Sequence, residues 1–297
     1  MGSFVQRRLR FDFTLQTGSF NESGADTVSI VDIKSSVNIE QVGGYQASIC
    51  TLELFGLSKK LMDRLTVNNR LTNSISKNTV AVLAGTDDTD MTVIFRGDIF
   101  SAYADFSNAP NVPFIVNCQI GFVDVVKPAA PLYFKGSVDI AVIAKSIATS
   151  LGCELDDSYG VKGVLNDAYY EDTNGKKLQK FQQDAGIDVY YTPPTLAIMP
   201  KGIARNTGII PIISDQTGLV DYPMMDMNGS INLTVLYNPK IFHGCMIDLH
   251  TSYPNCTGQF FVLSMFHNLT SQTPNGAWFT RLILIKADIK ASSGRVY

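Results

Sequence analysis

The sequence predicts a mainly β protein, in which two related antiparallel β-barrel domains flank a small α+β insert. Three observations predict it. Most of the chain carries apolar residues at alternating spacing, a central stretch switches to helical spacing, and the strand-rich texture then returns with the same layout. A chain of 297 residues accommodates two or three domains, and the texture changes place them at 1–128 (first barrel with a long N-terminal hairpin), 129–204 (insert) and 205–297 (second barrel).

In the first region, residues 7–16 alternate, which puts Leu9, Phe11, Phe13 and Leu15 on one face of a strand. The stretch 27–43 repeats Val31, Ile33, Val37 and Ile39 at even spacing. Gly43-Gly44 then reads as a turn into a third strand, QASICTLELF. The arms of this hairpin are longer than a small core needs, so it is expected to reach a neighbouring subunit. Leu57, Leu61 and Leu65 recur every four residues behind Ser58, a helix N-cap. Strands follow at 79–84, 91–106 and 112–123. Six strands and one helix suggest a closed or nearly closed barrel.

After Lys127 the run KPAAP reads as a linker. Ile140, Ile143, Ala144, Ile147 and Leu151 then form one helical stripe ending at Gly152, and Leu178, Phe181 and Ala185 form another ending at Gly186. IDVYY, Pro193-Pro194 and LAIMP predict a hairpin. The last region returns to strands in SINLTVLYNP, CMIDLHT, GQFFVLSMFHNLT and WFTRLILIKA. On a regular strand Phe260 and Phe266 share a face and Phe261 points the other way, so both faces carry an aromatic and one is available to a domain or subunit contact.

The two strand-rich regions share a plan. TVAVLA, a polar loop, Gly97, IFSAYADFS, Pro110 and FIVNCQI match CMIDLHT, a polar loop, Gly258, FFVLSMFHNLT, Pro274 and WFTRLILI. The Gly-to-Pro interval is 13 in one and 16 in the other. Two similar barrels per chain, in a threefold assembly, give a ring of approximately sixfold symmetry.

Charged residues make up 17% of the chain, against about 25% in ordinary soluble domains, which favours burial among partners. The net charge of −3 offers no footprint for nucleic acid or an anionic membrane. No signal-peptide pattern, myristoylation pattern or long apolar span is present, so membrane insertion is not expected. The sequons at Asn21, Asn228, Asn232 and Asn268 are short patterns that arise by chance. Cys50, Cys118, Cys153, Cys245 and Cys256 are odd in number and lack a CxxC spacing, and read as buried thiols.

Three sets of residues are candidates for chemistry. His243, Cys245, His250 and Cys256 could supply zinc ligands, but odd separations put His250 on the face opposite His243 and Cys245. Asp156-Asp157 and Glu171-Asp172 could supply a glycosidase pair, but adjacent loop carboxylates more often solvate a surface. Asp87, Asp88 and Asp90 lack the glycine and distal glutamate of a calcium loop. The expectation is therefore no catalytic, cofactor-binding or metal-binding residue, no cofactor, and a protein that is not an enzyme.

The order of barrel, insert and barrel resembles the phage tail-hub family, which includes the late-control D type proteins of contractile tails. Three stretches carry it: GDIFSAYADFSNAPNVPFIVNCQIGF, SVDIAVIAKSIATSLGCEL with KKLQKFQQDAGIDVYYTPPTLAIMPKG, and LVDYPMMDMNGSINLTVLYNPKIFHGCMIDL. They lie within residues 45–287, and the first 44 residues match less clearly. The resemblance implies tail-tube-like barrels and a baseplate hub: a homotrimeric, pseudo-hexameric ring that joins the hexameric tail tube to the trimeric central spike. It implies contacts with other baseplate proteins and the tape measure, and a lumen through which DNA passes without specific binding. It also implies a virion component assembled in the host cytoplasm, with the compact insert favouring a contractile tail. The competing reading is a tail-associated peptidoglycan hydrolase.

Overall fold

The computed structural model describes residues 5–42, 48–68, 75–107, 109–205 and 208–286. Strand β1 (Arg7–Thr14) buries Leu9, Phe11 and Phe13, as its alternation requires. It pairs antiparallel with β2 (Thr27–Val31) on one side and with β6 (Thr79–Thr86) on the other. The stretch 27–43 is not one arm. Asp32 takes a left-handed conformation (φ 55°), held by two hydrogen bonds from the Arg8 guanidinium, and β3 (Ser35–Gln41) begins beyond it with different neighbours. β3 pairs with β4 (Ile49–Phe55); the Gly43-Gly44 turn lies outside the described residues. Helix α1 (Lys59–Leu65) starts where Ser58 accepts from the Leu61 N–H, and it runs into the short β5 (Val67–Asn68).

β6 leads through the Asp87–Asp88 turn into the long β7 (Thr89–Ala104), which pairs with β8 (Pro113–Gln119). The sequence suggested a strand through residue 123, but β8 ends at Gln119 and helix α2 (Phe122–Val126) follows. Gly121 sits at φ 63° with no side chain to cap the helix, and the buried carboxylate of Asp98 accepts from the Val123 N–H at 3.0 Å. Burial raises the Asp98 pKa, and this hydrogen bond opposes the shift.

In the insert, α3 (Ile140–Leu151) and α4 (Asn174–Ala185) are capped by Asp139 and Thr173 and end at Gly152 and Gly186, both with positive φ. Between them lies β9 (Glu154–Asp156). It pairs parallel with β11 (Thr195–Pro200), which forms a hairpin with β10 (Ile187–Thr192). Ile143, Ile147, Tyr170, Phe181, Leu196 and Ile198 make up a core of their own. Lys177, on the inward side of α4, is buried and donates to the Ala130 carbonyl.

The last region contains β12 (Met224–Met225), β13 (Ile231–Leu236), β14 (Met246–Leu249), β15 (Gly258–Ser271) and β16 (Trp278–Lys286). Its four main strands lie in the spatial order β13-β16-β15-β14, and those of the first region lie in the order β4-β8-β7-β6. Both are one plan: three strands joined as consecutive hairpins, with the preceding strand returned beside the last. The repeat extends to an irregularity. The ladder β7–β8 skips Phe100 (Ile99↔Cys118, then Ser101↔Asn117), and β15–β16 skips Leu263 (Val262↔Leu284, then Ser264↔Ile283). In both, the strand on the far edge begins two residues before the skipped one, at Thr79↔Asp98 and Met246↔Phe261.

The two copies form one continuous 14-stranded sheet, in which β3 is bonded to β4 on one edge and to β15 on the other. Among the described residues the strand path ends at β2 and β12 and does not close by pairing. The first copy instead curls round its core, to which Ile30 of β2 and Val37 of β3 both contribute.

Candidate assembly interface

The two copies are joined edge to edge through β3 and β15. Seven residue pairs run from Met265↔Gln41 to Ser271↔Ser35. Ser35, Val37 and Ile39 face inward from β3, opposed by Ser271, Leu269 and His267, all buried. Leu269 and Trp278 belong to the last hairpin, yet they pack in the core of the first copy. Trp278 meets Tyr237 edge-on at 5.6 Å and lies under the Arg7 guanidinium.

The bulge at Leu263 corrects the expected face of Phe266. Before it Phe260 and Val262 point inward; after it Met265, His267 and Leu269 do. Alternation is inverted, so Phe266 lies on the face opposite Phe260, against the Arg281 guanidinium at 4.9 Å.

His267 is 5% exposed, and its Nδ1 lies 2.8 Å from the Thr280 hydroxyl. Burial lowers its pKa to about 4, from 6.5. Its neutral form therefore contributes stability in full above pH 6.5, and that contribution is lost as the pH falls toward 4. Urea titrations across this window are expected to show a fall that His267→Gln removes in part, of order 3 kcal/mol or less at the acid end.

Two clamps fix the insert. The Tyr191 hydroxyl donates to Asp124 at 3.0 Å, and a Cβ on Gly121 would stand 2.5 Å from the Tyr191 ring. On the other side the Arg205 guanidinium stacks on Tyr190 at 4.7 Å and donates to the His243 carbonyl, while the Arg205 N–H donates to the Gly244 carbonyl. A cavity of about 320 Å³ lies where the three parts meet, lined by Tyr190, Tyr191, Arg205, Tyr237, His243 and His267 among others.

The candidate histidines, cysteines and carboxylates are dispersed. The His243 ring lies 3.0 Å from the Leu263 carbonyl oxygen, and burial lowers its pKa to about 4. His250 pairs with Asp248 at 2.9 Å, whereas Cys245 and Cys256 are buried in the core of the second copy. Among the described residues no group of three or more histidine, cysteine or acidic side chains could hold a metal ion. Asp156 is held below the usual carboxylate range by Ser158, and Asp172 by Lys176 and the Thr173 N–H. Those shifts are opposite to what a general acid needs. Glu171 accepts from Tyr169, and none of Asp156, Asp157, Glu171 and Asp172 lines the cavity. Asp87 accepts from the Gln6 N–H and pins the N-terminal strand. Among the described residues no helix is long and apolar enough to cross a membrane.

The sequence reading missed two exposed apolar segments. Tyr222, Met224, Met225 and Met227 stand out at the β12 end of the sheet, and Tyr103 and Phe106 at the end of β7. Clusters of this kind mark contact surfaces. The run YPMMDM was the signal, since it fits neither strand nor helix periodicity.

The fold is that of phage tail proteins. A tail protein from Neisseria meningitidis MC58 matches with TM-score 0.62 at 12% identity, over 93% of this chain and 96% of its own. The 43 kDa tail protein of prophage MuSo2 from Shewanella oneidensis matches with TM-score 0.63 at 9% identity, over 94% and 98%. The E. coli c3393 protein, described as a component of the type VI secretion system with structural similarity to T4 bacteriophage tail proteins gp27 and gp5, matches with TM-score 0.62 at 7% identity, over 94% and 78%. No functionally curated protein matches by sequence. The family model for baseplate hub gp41 matches residues 9–279, and the chain belongs to that family. It is a structural component of the phage tail baseplate, and so of the virion.

Proposed function

We propose that three copies of this chain form a pseudo-hexameric ring that joins the hexameric tail tube to the trimeric central spike of a contractile tail. The observation that carries this reading is the duplicated meander, with its matching bulges at Phe100 and Leu263, fused edge to edge through β3 and β15. A chain with two equivalent units supplies six from three copies, which lets a threefold partner sit on one face and a sixfold partner on the other. Family membership and the likeness to a type VI secretion component support a spike as one partner. The tube, further baseplate proteins and the tape measure complete the set, with DNA passing through the lumen unbound and assembly taking place in the host cytoplasm.

The proposed role is non-enzymatic. Asp156 and Asp172 are held below the usual carboxylate range, and none of Asp156, Asp157, Glu171 and Asp172 lines the cavity, which favours the hub over a peptidoglycan hydrolase. Co-expression with the tube and spike proteins of the same phage is expected to yield a complex with equal numbers of hub and spike chains and twice as many tube subunits per ring. A hub that binds neither, or that lyses cell walls until Asp156 or Glu171 is replaced by its amide, would overturn the proposal.

A further inference from the structure

We infer that the free edge of β12 on one chain pairs with the end of β7 on the next, repeating between chains the joint that β3 and β15 make within one. This rests on the trimeric reading and specifies its interface.

The two copies superimpose by their ladders. Matching Phe100 to Leu263 places Tyr103 where Phe266 stands and Ala104 where His267 stands; continued past the end of β7, where the Asp105 N–H still donates to the Pro113 carbonyl, the same count brings Phe106 to the position of Leu269. Cys50 faces Cys118 as Ile231 faces Leu284, so Ile39, opposite Cys50, corresponds to Met225, opposite Ile231. By the same register Asn38 corresponds to Met224, Glu40 to Asp226 and Gln41 to Met227. The Asp226 N–H donates to the Ser230 carbonyl, as this alignment requires.

Exposure separates the occupied joint from the free one. Within the chain Leu269 is 0% and Ile39 2% exposed, whereas their counterparts Phe106 and Met225 are 68% and 47% exposed. Among the described residues the short β5 pairs with β7 at Ser101 and Ala102, and α1 packs beside it. The end of β7, with exposed Tyr103 and Phe106, and β12, with exposed Met224 and Met225, are therefore two edges whose equivalents already bind each other. Pro223 supplies no donor, so the pairing between chains is shorter than the seven-residue joint inside one. The contact is head-to-tail: β12 of each chain meets β7 of the next, and such a contact closes into a ring when its rotation allows.

The test has two parts. Phe106→Asp and Met225→Asp, both at exposed positions, are expected to leave thermal melting and hydrogen exchange of the monomer unchanged and to weaken trimer formation at least tenfold. Asp105→Cys combined with Met224→Cys, the pair equivalent to Asn268 and Asn38, is expected to cross-link chains under mild oxidation up to a covalent trimer; neither single variant should. A parent that forms trimers unaffected by either aspartate, with no cross-link in the double-cysteine chain, overturns this interface and leaves the trimer standing. A parent that remains monomeric with its tail partners overturns both.

Discussion

Leu269→Ala is expected to destabilise the protein by about 2–5 kcal/mol, and Leu269→Asp to prevent folding, although the residue lies far from most of its core neighbours in sequence. Leu269 is fully buried, stands opposite Val37 and Trp278, and packs in the core of the first copy. Truncation removes its transfer free energy and leaves a cavity that the sheet cannot readily close. An aspartate there adds a carboxylate with no partner, at a further cost of several kcal/mol. The site makes the result diagnostic. In Leu269→Ala, amides of β3, β8 and β16 should lose hydrogen-exchange protection together, because the joint makes the copies one cooperative unit. Loss confined to the second copy would show that the joint contributes little.

Phe181→Ala is expected to cost about 3–5 kcal/mol, with a different footprint. Phe181 is fully buried between the insert helices and hairpin, and its ring meets Tyr170 edge-on at 6.1 Å. The insert has its own core and meets the rest of the chain through the two clamps and the packing of α4 on α2. Its melting should therefore separate from that of the β sheet. Exchange should accelerate in α3, α4 and β11 while β1, β4 and β8 hold. Uniform acceleration across the chain would mean that the insert is not an independent unit.

Local chemistry was the legible part of the fold. Ser58, Gly152 and Gly186 marked helix ends because capping depends on one residue and its backbone. The repeated meander was visible because its strands, turns and polar loops recur in order. Features fixed by distant partners were not legible. Nothing in SSVNIEQ announces that its free edge meets β15 more than 200 positions later, and the hairpin expected to reach another subunit has that edge occupied by its own chain. The bulge at Leu263 was hidden because apolar residues continue through it on both parities, which misplaced Phe266. The turn at Asp32 and helix α2 depend on Arg8 and Asp98 reaching in from elsewhere. The candidate interface had one sequence trace, YPMMDM; Phe106 gained meaning only once the ladders could be matched.

As a hub, the chain is proposed to be the repeating unit of a threefold ring. Multi-angle light scattering on the purified protein, alone and with its spike partner, measures this most directly. A threefold hub gives an assembly of about 97 kDa, three times the 32.5 kDa chain, alone or on addition of the spike. A mass of 32.5 kDa for the hub in every combination would contradict it.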